Sequence, residues 1–275
     1  MTGTLYVVGT PIGNLEDLSP RAARVLAEAT AVLAEDTRRA RQLLSHLGIE
    51  KKPLFRHDAH ATTGDVARVV ERLLLGESLA LVTDAGTPGV SDPGASLVAE
   101  AVAQGIRVTP IPGASAVTTA IAASGFSRSS FRFVGFLPRD GRDRDEALSR
   151  VAADPDLVVF FESPHRIEAT LGELARLAPQ RAAVVTRELT KVHEELVRGT
   201  LAELSAAPRE WLGEITVVLG PGEARELDAI PPETIDRWID EERARGASVR
   251  EVARIVAARS GWPKREVYAR AVARG

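Results

Sequence analysis

A chain of 275 residues, 44% apolar and with a net charge of −3, can bury a sizeable core and is long enough for two globular domains plus a small appendage. It has no cysteine, which removes disulfides, thiolate zinc sites and thiol nucleophiles together, and its five histidines show no HExxH-like spacing, so no metal is expected. No apolar run approaches the roughly 20 residues of a membrane span, and the N-terminal TLYVVG enters a strand pattern without a basic region or cleavage site, so a cytoplasmic protein is expected.

In chain order, short β-branched runs alternate with helical patterns over the first 123 residues. LYVVG precedes a helix over Ser19 to Ala29, AVLAE one over Thr37 to Leu47, LALVT one over Asp92 to Gln104, and IRVTPI one over Ala114 to Ala123. This alternation predicts βαβ units and a parallel sheet, with function collecting at the loops after the strands' carboxyl ends. A polar Gly/Ser segment, Ser124 to Ser130, marks a boundary, after which FRFVGF, DLVVFF, RAAVVT and GEITVVLG are the strands of a second alternating set. VHEELVRGTLAEL is expected to add a strand and a short helix. The predicted fold class is therefore α/β: an N-terminal α/β domain over 1–123, a second over 124–222, and a small helical tail over 223–275.

The tail resembles a helix-turn-helix. Ser248 and Glu251 form a capping-box pattern, Val249, Val252, Ala253 and Val256 share one face, and SGWP resets the chain before a helix with Val267, Tyr268 and Ala271 on its apolar face. Residues 243–275 hold nine Lys/Arg against two Asp/Glu, a net of +7, which leaves residues 1–242 at −10. An acidic body with a basic tail points to one end meeting an anionic partner, with Arg250, Arg254, Lys264 and Arg265 as the candidate contacts.

Three loops follow strands in the first domain: GTPIGNL (Gly9 to Leu15), TDAGTPGVSDPG (Thr83 to Gly94) and PIPGASA (Pro110 to Ala116). None carries the lysine of a phosphate-binding loop, and Pro11 breaks a GxGxxG pattern. No basic residue occurs between Arg72 and Arg107, while Asp84 and Asp92 sit at or near a strand end. Such loops suit a neutral or cationic ligand approached closely by backbone.

These loops, with AEDTR (Ala34 to Arg38), GFLPR (Gly135 to Arg139), FFESPHR (Phe160 to Arg166), RELTKVHEELVRG (Arg187 to Gly199) and GEITVVLG (Gly213 to Gly220), occur in the order found in the tetrapyrrole methylase superfamily. More narrowly the chain resembles the ribosomal RNA small-subunit methyltransferase I branch. The first loop departs from the GxGxG-like run of the porphyrin-modifying branches, which argues against a tetrapyrrole substrate.

The resemblance implies S-adenosyl-L-methionine bound between the two α/β domains and 2′-O-methylation of a cytidine ribose in the decoding centre of 16S rRNA. The substrate it implies is 16S rRNA in the assembled small subunit, and the enzyme a homodimer. By matching motifs, Pro11, Ile12, Asp84, Gly86, Val90, Ser115, Ala116, Phe160, Phe161, Glu162, Arg187 and Ile215 are the cofactor-binding candidates. An acidic pocket free of arginine suits the cofactor's ammonium and sulfonium. In-line transfer to a hydroxyl is helped by a base, and Asp36, Glu162, Glu188, Lys191 and His165 are the candidates, Lys191 first, because only four lysines occur and a desolvated lysine can shed its proton near neutral pH. Arg38, Arg139, Arg142, Arg144 and Arg166 are candidates for the RNA backbone, three of them in or beside PRDGRDRD, read as a charged loop. Competing readings are a methyltransferase of the same superfamily acting on a tetrapyrrole or protein acceptor, disfavoured by the basic tail, and a non-catalytic RNA-binding protein, which leaves the acidic loops unexplained.

Overall fold

The apolar runs of the N-terminal region form a five-stranded sheet in the computed structural model, which describes residues 2–127, 130–207, 209–222, 231–260 and 262–274. Strands β1 (Thr4–Val8), β2 (Ala31–Ala34), β3 (Leu54–Arg56), β4 (Leu79–Val82) and β5 (Arg107–Ile111) are all parallel, in the order β3-β2-β4-β1-β5. Helices α1 (Pro20–Glu28), α2 (Thr37–His46), α3 (Thr63–Leu74) and α4 (Ala95–Ala103) make the crossovers, and α5 (Ala116–Ser124) leaves the last strand. All four residues of β2 and of β4 are buried, which is why these strands read as unbroken apolar runs rather than alternating ones. One face packs Leu26 of α1 and Leu44 of α2, the other Leu73 of α3 and Leu97 of α4.

Strands β1 and β4 are neighbours, yet the chain after β1 moves toward the β3 edge and the chain after β4 toward the β5 edge. This reversal is a topological switch point, and it opens a crevice where the first and second glycine loops meet. Strand β3 and helix α3 go beyond the elements expected from sequence. The strand is three residues long and half exposed, too short to show a period; the helix did carry a legible signal, the reciprocal Thr62–Asp65 capping box.

The second sheet has the order β6-β7-β10-β8-β9, from β6 (Phe131–Phe136), β7 (Leu157–Glu162), β8 (Ala182–Arg187), β9 (Glu195–Thr200) and β10 (Ile215–Leu219). Only β6 and β7 pair in parallel; the remaining three pairings are antiparallel. Helices α6 (Gly141–Ala153), α7 (Ile167–Leu177) and α8 (Leu201–Ala206) cover one face through Leu148, Val151, Leu171, Leu174 and Leu201. Helix α6 begins inside PRDGRDRD, so Arg142 and Arg144 are helical rather than in a loop. The opposite face of this sheet receives α5: Val117 and Ala120 pack with Val159 and Val218, joined by Ile12 and Leu189. The expected boundary segment, Ser124 to Ser130, lies partly outside the described residues, at Arg128 and Ser129.

The chain divides into two compact units, residues 1–222 and 223–275. In the second, α9 (Pro232–Ala244), α10 (Val249–Ser260) and α11 (Lys264–Ala273) surround Ile235, Ile239, Val252, Val256, Val267 and Ala271. The Ser248–Glu251 capping box forms, with Ser248 Oγ donating to Glu251 Oε2 at 2.7 Å. Tyr268, expected on the apolar face, is exposed instead. The start of the tail, 223–230, and Gly261 of SGWP lie outside the described residues. Among the described residues no helix is long and apolar enough to cross a membrane.

Gly9 and Gly113 lie so close that a Cβ on Gly113 would sit 2.6 Å from the Gly9 carbonyl carbon. Gly113→Ala is expected to lose about 1–3 kcal/mol through overpacking. Gly172→Ala in α7, where a Cβ meets nothing within 4 Å, is expected to gain up to about 1 kcal/mol from helix propensity. Urea midpoints at matched slopes measure both.

Candidate active site

The crevice at the switch point is closed by backbone. Thr10 N donates to Gly86 O at 2.8 Å and Gly86 N to Thr10 O at 3.2 Å, while Gly9 N donates to Ile111 O at 2.9 Å. The first, second and third loops are thereby locked side by side, and the left-handed φ of +85° at Gly86 is one glycine adopts without cost. Two adjoining cavities result, sharing Ile12, Ala85 and Glu214 in their walls.

The first cavity, about 320 Å³, lies between the two sheets. Ile12, Gly86, Val90, Ser115, Ala116, Phe161, Glu162 and Ile215 line it, as do Asp92, Phe136, Ser163, Pro164 and Thr216, outside the candidate set. Phe160 does not line it, because strand alternation turns Phe160 into the core beneath α6 and α7 while Phe161 faces the cleft. Arg187 also lines neither cavity; its guanidinium pairs with Glu195 at 3.6 Å. Glu162 is buried with both oxygens engaged, Oε1 accepting from Ser163 N at 2.8 Å and Oε2 from Thr170 Oγ1 at 2.8 Å, so it is poorly placed to take a further proton.

The second cavity, about 340 Å³, is lined by Pro11, Gly13, Asp36, Arg39, Asp84 and Lys191 among others. Pro11 and Asp84 therefore belong here and not in the first cavity. Nor is the acidic region free of arginine: Arg39, one turn into α2, reaches Asp84 at 3.5 Å, a proximity created by the β2–β4 pairing and invisible in local sequence. Asp36 caps α2 by accepting from Arg38 N, and hydrogen bonds from the Arg38 guanidinium hold its carboxyl well below the ordinary range, which disfavours it as a base. His165 is exposed and lines neither cavity.

Lys191 is held by two carboxylates, its Nζ lying 2.8 Å from Glu188 Oε1 and 2.6 Å from Glu214 Oε2. Burial alone would lower the ammonium's pKa, but the hydrogen bonds to Glu188 and Glu214 outweigh it and the net shift is upward. The expected neutral lysine is thus corrected: Lys191 is a cation through the physiological range. Burial likewise works to raise Glu188, and the Lys191 hydrogen bond brings its carboxyl below the usual range. The supporting turn is strained, with φ of 51° at Glu188 and 68° at Thr190, conformations non-glycine residues seldom adopt. Glu188 N donates to Glu214 O at 2.9 Å and its carboxylate accepts from Glu214 N at 2.9 Å, while Asn14 N donates to Thr190 Oγ1 at 3.1 Å. A Cβ at Gly213 would collide with the Glu188 carboxylate and one at Gly13 with the Lys191 stem, so both glycines admit this turn.

Two of the arginines expected at RNA are instead structural. Arg144 is buried, donating to Pro138 O at 3.0 Å and to Thr170 Oγ1 at 2.9 Å and pairing with Glu173. Arg166 donates to Leu137 O and Pro138 O at 3.0 and 2.8 Å. Arg38, Arg139 and Arg142 are exposed, Arg38 paired with Asp36 and Arg142 with Glu146. In the helical unit Arg270 and Arg274 pair with Asp236 and Asp240, Arg245 with Glu242, and Arg259 lies over Trp238. Arg250, Arg254, Lys264 and Arg265 are exposed and, among the described residues, make no ion pair.

Residues 4–205 match the profile of the Tetrapyrrole (Corrin/Porphyrin) Methylases. The chain is 42% identical to the Ribosomal RNA small subunit methyltransferase I of Halalkalibacterium halodurans, across 97% of this chain and 93% of that one. With the protein of the same name from Thermotoga maritima it shares 44% identity across 79% of this chain and 98% of the relative. The crystal structure of uroporphyrin III C-methyltransferase from Thermus thermophilus superposes with a TM-score of 0.58 at 20% identity, covering 79% of this chain and 97% of that one. By profile, by identity over nearly its whole length and by its paired sheets, the chain belongs to the tetrapyrrole methylase family, among the ribosomal RNA small subunit methyltransferase I proteins.

Proposed function

We propose that this protein transfers a methyl group from S-adenosylmethionine to the 2′-hydroxyl of a cytidine in 16S ribosomal RNA, with the cofactor in the first cavity and the acceptor ribose in the second. The observation that carries the reading is the pair of adjoining cavities, one walled largely by apolar groups and carboxylates, the other holding a fixed cation, with Glu214 common to both. A cleft of about 320 Å³ with apolar walls and few polar groups is of the size and kind that holds a nucleoside-sized ligand. The family's wider acceptor range is narrowed to RNA by the names of the relatives and by the unpaired cations of the helical unit.

Bound S-adenosylmethionine supplies an electrophilic methyl on a sulfonium. The chain's own contribution is alignment, worth up to roughly 7–11 kcal/mol for well-oriented reactants. Ile12, Phe161 and Ile215 would bind the cofactor's apolar portion, and the backbone of Gly86 and Ser115 would come close to its polar atoms. Lys191, being protonated, cannot accept the acceptor's proton; it would donate a hydrogen bond to the acceptor oxygen and stabilise negative charge as it develops. Glu214 is the one carboxylate among the described residues that lines both cavities, and it would receive the hydroxyl proton. Glu188 holds Lys191 in place.

We take residues 1–123 and 124–222 as the two halves that form the cleft and 223–275 as the RNA-binding tail, acting in the cytoplasm as a homodimer on the assembled small subunit. In the tail Arg250, Arg254, Lys264 and Arg265 would meet phosphates, assisted from the body by Arg38, Arg139 and Arg142. A relative matched over 98% of its length by 79% of this chain is what a shared core with an added segment would give.

The deciding experiment is nucleoside mass analysis of 16S rRNA from cells lacking the protein: one 2′-O-methylcytidine should vanish and return on complementation. Lys191→Met is expected to lower kcat by about a hundredfold or more with an unchanged cofactor Kd; a changed Kd and unchanged kcat would place Lys191 on the cofactor instead. Removing residues 224–275 should spare cofactor binding and weaken RNA binding. Replacing the four unpaired cations by alanine should reduce the slope of log Kd against log salt by roughly 3.

A further inference from the structure

Three carboxylates line the first cavity, and two of them are already answered. Glu162 accepts from Ser163 N and Thr170 Oγ1 and lies 3.4 Å from the Arg166 guanidinium; Glu214 is paired with Lys191. The third, Asp92, has no ion-pair partner among the described residues. It follows Ser91, whose φ of 61° is left-handed, and it is half-buried at the cavity wall. The charges that bear on it are those of Glu35 after β2 and Asp84 after β4, both acidic, against a hydrogen bond from Thr83, while Arg39, the cation beside Asp84, is engaged by that residue. A carboxylate in this position is repelled by two neighbours and favoured by the Thr83 hydroxyl, with no cation paired to it among the described residues.

We propose that Asp92, rather than Asp84, is the counter-charge for the cofactor, and that its carboxylate pairs with the ammonium of the methionyl portion. The ammonium is the fitting partner because it persists through the reaction. A carboxylate on the sulfonium would stabilise the charge that methyl transfer must discharge, and so would oppose the step it serves. The proposal rests on the cofactor reading above and sharpens it. It also accounts for an otherwise unfavourable arrangement, since the incoming cation relieves the mutual repulsion of Asp92, Glu35 and Asp84.

A proton linkage follows. Burial first, then the Glu35 and Asp84 charges, against a lowering hydrogen bond from Thr83, bring the Asp92 carboxyl up to about 6. Without ligand it is therefore substantially protonated near pH 6 and ionised above pH 7, and a bound ammonium favours the ionised form. Cofactor binding should release part of a proton near pH 6 and weaken as pH falls below that value.

The test is titration calorimetry of the full chain with S-adenosylmethionine, S-adenosylhomocysteine and 5′-methylthioadenosine, the last of which lacks the ammonium, at pH 8 and at pH 6 in buffers of different ionisation enthalpy. Asp92→Asn should raise Kd about tenfold for the first two ligands at pH 8 and leave the third unchanged, which also shows that the variant is folded. The wild-type protein should release protons on binding S-adenosylmethionine at pH 6 and the variant should release none. Unchanged Kd values in Asp92→Asn, or an equal loss with 5′-methylthioadenosine, would overturn the assignment while leaving the cofactor reading standing. Failure of the wild-type protein to bind S-adenosylmethionine would overturn the cofactor reading itself.

Discussion

The apolar seam between helix α5 and the second sheet is the contact on which the site depends. The helix follows the last strand of one sheet and lays Val117 and Ala120 against Val159 and Val218 of the other, with Ile12 and Leu189 sealing the edges. Fully burying a Val or Leu side chain contributes about 1.5–3 kcal/mol, and a seam of this kind holds the two sheets as the walls of one cleft. Because α5 begins at Ser115 and Ala116, the same packing places its first turn on the floor of the first cavity. Alignment of two substrates demands such rigidity, since a misplacement of about 1 Å can cost a hundredfold in rate.

Around this seam the glycine loops act as spacers that let backbone replace side chain. Gly9 and Gly113 bring the first and third loops into contact, while Gly13 and Gly213 make room for the turn carrying Glu188, Thr190 and Lys191. That turn stores strain in two left-handed residues and is held by hydrogen bonds from Asn14 and Glu214. Strain of about 1–3 kcal/mol per residue persists only where the surroundings over-determine the conformation. Here the surroundings consist of both halves of the cleft, and the product is one ammonium fixed between two carboxylates.

Charge is distributed by the same logic. Acidic groups gather at the ends of β2 and β4, where neighbouring strands bring Glu35, Asp36, Asp84 and Asp92 together, and Arg39 offsets only part of them. Cations that look available in sequence are largely spent on the fold: Arg144 and Arg166 bind carbonyls and carboxylates under the cleft, and Arg181 donates to the carbonyls of Val151, Asp156 and Gly220. In the helical unit Arg250 and Arg254 of α10 and Lys264 and Arg265 of α11 are exposed and make no ion pair among the described residues.

Sequence alone determined the α/β class, the strands of more than three residues, the helical tail with its capping box, and the three loops that form the cleft. Each of these is written in local periodicity and turn chemistry. The motif order also carried the family, and part of the first cavity's wall was legible from it: Ile12, Gly86, Val90, Ser115, Ala116, Phe161, Glu162 and Ile215 all face the cavity. What only the tertiary structure decided is which charged groups meet. Asp84 turned from the first cavity to Arg39, Arg144 was buried against Thr170 and Glu173 of α7, Lys191 gained two carboxylate partners and Asp92 was left without an ion pair among the described residues. These outcomes depend on strand order and on contacts between residues distant in sequence, and a side chain's charge state follows from such neighbours and its burial rather than from the motif that contains it.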